Sequence, residues 1–152
     1  MSFPPAQYFI YGSDSFTERP VSRSAYEDRS LWPKQIWLLP EGTRSLLPWT
    51  IVKSDAGYVF QSRGAPTGEA EGAVVAIINQ TLDPYISWIV EPATNDQELF
   101  RIRTHDRKYW TVEEEIGRVG HRVGFPKYMT TYFKKKLSDL SLRCQGISNS
   151  KD

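Results

Sequence analysis

Two histidines, one cysteine and a run of three glutamates are the side chains whose chemistry could be catalytic. His105 and His121 are too few for a zinc site built on imidazole, and no His-Glu-x-x-His spacing is present. His105-Asp106 reads as a turn at a strand end, and Glu113-Glu114-Glu115 as a solvated loop between strands. Cys144 adjoins Arg143, which lowers a thiol pKa, but without a histidine partner no nucleophile is assigned. A single cysteine rules out an intrachain disulfide and a cysteine-based zinc site, which points to a reducing, cytoplasmic setting. There is no G-x-S-x-G elbow, no Walker A and no dinucleotide fingerprint. The expectation is no catalytic residue, no metal and no cofactor: a binder and not an enzyme.

Binding chemistry concentrates between Val21 and Lys34, a long polar connection with an aromatic side chain, Tyr26, flanked by Ala25 and by the acids Glu27 and Asp28. Tyr26 either folds back on the domain as a loop anchor or stands out as a contact. The acids can pair with Arg23 or Arg29 or accept backbone N–H groups, and so stiffen the loop. Leu31-Trp32-Pro33 is expected to pin its far end against the core. One protruding anchor on a braced backbone is what a protease-inhibiting loop requires, because the ordering cost is met before binding.

These residues need a scaffold. At 152 residues and 17.5 kDa the chain can bury one core, and 39% hydrophobic with 13% aromatic residues is too apolar for disorder. Apolar residues come in short clusters with a two-residue period, punctuated by ten Gly and ten Pro, which predicts an all-β domain. Strands are expected near Tyr8–Tyr11, Phe16–Arg23, Gln35–Leu39, Trp49–Lys53, Tyr58–Ser62, Ala73–Asn79, Trp88–Glu91, Leu99–Thr104, Tyr109–Val112 and Arg118–Phe125. Ser54-Asp55-Ala56-Gly57 reads as a hairpin, and Pro40-Glu41-Gly42 and Ala65-Pro66-Thr67-Gly68 as turns. Trp49-Thr50-Ile51-Val52 and Trp88-Ile89-Val90-Glu91 each precede a matching strand. The result is three imperfect repeats of roughly 40 to 50 residues, the pattern of a β-trefoil: three four-strand units, a six-stranded barrel and a hairpin cap.

Net charge is +1, so no global basic field favours nucleic acid. Residues 1–98 carry 7 basic and 12 acidic side chains and residues 99–152 carry 12 and 6, which reads as solvated surface with a basic end. No run approaches the roughly 18 apolar residues of a spanning helix, and neither a leader nor a membrane partner is expected.

The run Glu27-Asp28-Arg29-Ser30-Leu31 with Pro33-Lys34, the Gly64-Ala65-Pro66-Thr67-Gly68 element and Trp88-Ile89-Val90 resemble the mushroom β-trefoil serine-protease inhibitors of the cospin and cnispin type, over about Tyr8 to Ile102. The resemblance implies a monomeric cytoplasmic defence or regulatory protein whose partner is a serine protease. In cospin-like relatives the residue that fills the primary specificity pocket lies two positions before the Asp of Glu-Asp-Arg-Ser, which places Tyr26 there. A basic residue at that position suits the Asp-lined pocket of trypsin, whereas Tyr26 suits the apolar slot of chymotrypsin. Ala25 and Glu27 then flank the scissile bond, and Ser24, Asp28 and Arg29 fix the loop. A cnispin-like alternative uses the loop between the last two strands, with Lys127 between Pro126 and Tyr128 as a trypsin anchor.

Rival readings on the same scaffold are a carbohydrate-binding lectin, with Trp110 or Tyr109 as sugar platform, and a cysteine-protease inhibitor of mycocypin type. The C-terminus fits the pattern least. A last strand near Tyr132-Phe133 must pair with the first, yet Lys134-Lys135-Lys136-Leu137-Ser138-Asp139-Leu140 is polar and weakly helical in spacing. The domain is therefore drawn over residues 1–136, followed by a polar tail over 137–152, disordered or weakly helical.

Overall fold

The computed structural model describes residues 3–14, 17–79, 81, 84–93, 98–117, 119–125 and 131–137. They form twelve strands and no helix: β1 (Ala6–Asp14), β2 (Thr17–Arg23), β3 (Lys34–Leu38), β4 (Trp49–Ser54), β5 (Gly57–Ser62), β6 (Ala65–Ala70), β7 (Ala73–Ala76), β8 (Ile89–Pro92), β9 (Leu99–Arg103), β10 (Thr111–Ile116), β11 (His121–Gly124) and β12 (Phe133–Leu137).

Six strands close a barrel. β1 pairs with β4, β4 with β5, β8 with β9, β9 with β12, and β12 returns to β1. The gap between β5 and β8 is bridged at Tyr58 and Trp88, whose N–H groups donate reciprocally to each other's carbonyls at 2.9 and 2.7 Å. The other six strands form the hairpins β2–β3, β6–β7 and β10–β11. Their inner strands β3, β7 and β11 pair with one another in a triangle.

The two-residue period drives this arrangement, since alternate side chains of a strand face opposite sides. Trp49 and Ile51 of β4, Ile36 and Leu38 of β3, and Phe100 and Ile102 of β9 point into one core. At its centre Trp110 packs on Trp88, Phe60, Phe133 and Trp49 with ring centroids 5.1 to 6.1 Å apart, mostly edge to face as the ring quadrupoles prefer. Phe3 plugs the other end against Tyr8, Tyr58, Phe60 and Phe100.

Ala65-Pro66-Thr67-Gly68, expected as a turn, belongs to β6. Its composition is poor for a strand, but the surroundings enclose it on both faces. Pro66 offers its carbonyl to Ile77 N–H, and the Thr67 hydroxyl donates to Phe60 O while accepting Trp88 Nε1–H at 2.8 Å. The turn itself lies one step earlier, at Arg63 and Gly64, both with positive φ (51° and 75°) as a two-residue I′ hairpin loop requires.

The three glutamates expected in a loop lie on β10 instead. Ladder pairs with β11 flank them at Val112 and Ile116 with an irregularity between, and the Glu113 carboxylate takes the Arg122 guanidinium at 2.7 Å. Near the C-terminus the strand signal at Phe133 extends through the lysines, with Tyr8 opposite Leu137 and Gly12 opposite Phe133. The boundary drawn at residue 136 thus falls inside β12. Over residues 134–137 the helical spacing yields because the edge of β1 offers hydrogen bonds that an isolated helical turn cannot match, while residues 138–152 of the expected tail lie outside the described residues. Lys135 turns back over Phe3, 4.1 Å from the ring centroid, and burial lowers its pKa.

Candidate protease-contacting loop

The connection from β2 to β3 leaves and re-enters the β2–β3 hairpin. Arg23, the last residue of β2, and Lys34, the first of β3, are both buried and both cationic. A buried cation requires a partner, and the loop supplies two carboxylates in the right order. Arg23 grips Glu27 with two nitrogens, Nε to Oε2 at 3.1 Å and Nη2 to Oε1 at 2.7 Å, and its third nitrogen donates to Ser62 O. Lys34 Nζ donates to Asp28 Oδ1 at 2.5 Å and to Asp28 O at 3.2 Å.

Short local bonds fill the space between these ties. Ser24 Oγ accepts Tyr26 N–H at 2.9 Å, and Asp28 Oδ1 accepts Ser30 N–H at 2.9 Å, side-chain turns of the kind Ser and Asp favour. The bond from Lys34, then those from Ser30, hold the Asp28 carboxyl down at a pKa of about 2. From the β5–β6 turn Arg63 reaches across, Nη2 to Ser24 O at 2.9 Å and Nη1 to Glu27 Oε1 at 3.4 Å.

Within this frame Tyr26 is 91% exposed and Ala25 beside it is exposed too. A groove of about 370 Å³ runs alongside, between the loop and Pro40, Thr43 and Arg44 of the β3–β4 connection. The loop therefore presents the Tyr26 ring on a backbone fixed from both ends. Of the two readings of Tyr26, the packed one is excluded.

The expected brace of Glu27 by Arg23 is present, while Arg29 is exposed. Arg63 and Lys34 were not foreseen as loop partners; the signal for Arg63 was a long cationic residue at a turn position that normally takes Gly, Asn or Asp. Leu31 and Trp32 do not pin the loop: they are 63% and 73% exposed. The ion pair of Lys34 with Asp28 already secures that end, so no apolar anchor is needed there. Pro126, Lys127 and Tyr128 lie outside the described residues, as does Cys144.

Other chemistry is committed elsewhere. Asp106 accepts the Thr104 hydroxyl at 2.5 Å in a turn beside His105, and that bond lowers its pKa. Trp110 is fully buried and cannot be a sugar platform. Tyr109 donates its hydroxyl to Glu91 and carries the Arg101 guanidinium 4.9 Å above its ring, so one of its faces is occupied.

The family model described as Peptidase inhibitor I66 matches residues 1–131. The chain belongs to this inhibitor family. A protein of Lentinula edodes named serine protease inhibitor is 32% identical to it over 117 residues, covering 76% of this chain and 79% of the relative. A proteinase inhibitor from Coprinopsis cinerea has a solved structure that superposes with a TM-score of 0.71 at 26% identity, over 90% of this inhibitor and all of the other chain. A salivary protein of Culex quinquefasciatus, 15% identical, shares the fold at a TM-score of 0.63 over 93% of the inhibitor and 99% of that chain. The inhibitor is thus a ligand for peptidases.

Proposed function

We propose that this inhibitor blocks serine proteases of chymotrypsin-like specificity by inserting residues 24–29 as a substrate would, with Tyr26 filling the primary specificity pocket. The observation that carries the reading is the full exposure of Tyr26 on a loop whose flanking backbone is tied by Arg23, Arg63 and Lys34. A ring of this size gives large contact area at low entropic cost, and a pre-ordered backbone spares the protease the cost of ordering it. The relative's name supports a serine-type target. The scaffold reading is a β-trefoil, supported by the six-strand ring and by the three hairpins whose inner strands meet in a triangle.

Replacing Tyr26 by Ala tests the assignment. Loss of a central anchor should raise the inhibition constant for chymotrypsin about 30-fold or more, with the thermal unfolding midpoint unchanged. Undiminished inhibition by Tyr26→Ala, together with its loss in Lys127→Ala, would move the site to residues 126–128.

A further inference from the structure

We infer that Glu27, gripped by Arg23 and Arg63, is a clasp across the Tyr26–Glu27 bond that keeps the loop assembled after a protease has cut it. The inference rests on the reading of Tyr26 as pocket anchor, which makes Tyr26–Glu27 the bond presented for attack.

The partners fall on opposite sides of that bond. Arg23 and Ser24 precede it and Glu27 follows it. Arg23 holds both Glu27 carboxylate oxygens, so the new amino end would remain bound to residues upstream of the cut. Arg63 holds both sides at once, through Ser24 O and Glu27 Oε1, and it comes from the β5–β6 turn, which cutting the loop leaves untouched. Glu27 is correspondingly turned inward, its side chain 14% exposed, and is not offered to the enzyme.

Hydrolysis adds one water: the C–N bond breaks, the hydroxyl oxygen stays on the Tyr26 carbonyl carbon as a carboxylate, and the amine forms on Glu27. In a flexible peptide the two ends then separate, and the freedom gained drives the reaction to completion. Ends held in place gain little freedom, and the amine stays poised beside the acyl carbon at high effective concentration. The same enzyme can then expel the water and restore the bond.

Arg63 permits a clean test because its φ of 51° suits glycine, so Arg63→Gly removes the fork without straining the turn. Wild type, Arg63→Gly and Glu27→Gln are each incubated with a catalytic amount of chymotrypsin, starting from intact and from cut chain, and the two forms are quantified by mass spectrometry. Wild type should reach one mixture from both directions, with intact chain a substantial share. Arg63→Gly should inhibit more weakly than wild type from the start, its ratio of cut to intact chain should rise about tenfold or more, and its remaining inhibition should fade with time. Glu27→Gln, which keeps an acceptor and loses the charge, should fall between. A wild-type ratio in Arg63→Gly, or complete cutting of wild type, overturns the clasp. Full inhibition by Tyr26→Ala overturns the anchor reading and the clasp with it.

Discussion

Lys34 Nζ lies 2.5 Å from Asp28 Oδ1, so the first residue of β3 holds the loop six residues upstream of it. The Asp28 carboxyl is lowered to about 2 by that bond and by Ser30. A carboxylate lowered on folding stabilises fully above its unfolded pKa, about 4, and loses that contribution as pH falls through the folded value. The loop should therefore keep this tie throughout the neutral range and release it between about pH 4 and pH 2. A carboxyl-carbon NMR titration should place the Asp28 midpoint near 2, and Lys34→Met should return it towards the ordinary aspartate range. A wild-type midpoint near 4 would show that the contact does not persist in solution.

Tyr26→Arg should exchange preference for chymotrypsin for preference for trypsin, since an Asp-lined pocket takes a guanidinium where an apolar slot takes a phenol. Stability should move by less than about 0.5 kcal/mol, because the side chain is exposed. Inhibition constants against both enzymes, with a melting curve, check this. A variant that still favours chymotrypsin would remove Tyr26 from the pocket.

Thr67 is the buried polar joint of the barrel, bonded to Phe60 O and to Trp88 Nε1. Thr67→Val keeps the shape but strands the indole N–H, at about 1–3 kcal/mol. Thr67→Ser keeps the hydroxyl and should cost about 0.8 kcal/mol for the lost methyl. Urea denaturation should rank wild type, then Ser, then Val; a Val variant as stable as Ser would show that the hydrogen bond carries no weight.

Gly57 closes the seam between β5 and β8. A Cβ there would lie 2.3 Å from the Trp88 carbonyl oxygen, at a φ of +146°. Gly57→Ala should cost about 3 kcal/mol or more. Gly42→Ala, at φ +75° with no atom within 4 Å of the added Cβ, should cost about 1–2 kcal/mol from backbone strain alone. Equal melting curves for the two variants would refute the close contact.

Much of the barrel was legible because its inward residues alternate: Trp49 and Ile51, Phe100 and Ile102, and Ile36 and Leu38 announce half-buried strands. β6 was not legible, since Ala-Pro-Thr-Gly is extended for reasons supplied by neighbouring strands, through Phe60, Ile77 and Trp88, and not by its own residue types. The lysines of β12 were obscure for a similar reason: their conformation is set by β1, more than a hundred residues away. In the loop, the local pairing of Arg23 with Glu27 could be read from spacing and the exposure of Tyr26 could not, whereas Arg63 enters from another hairpin and Leu31 and Trp32 face solvent against the expectation from their apolarity.

The pairing of β1 with β12 sets the timetable of synthesis. On the ribosome the strand Ala6–Asp14 emerges more than a hundred residues before its neighbour Phe133–Leu137, so one flank of the nascent barrel stays bare over that interval. Closure by so non-local a pairing is slow, and the edge exposed meanwhile is an aggregation hazard. Messages truncated before codon 133 should accordingly yield insoluble product.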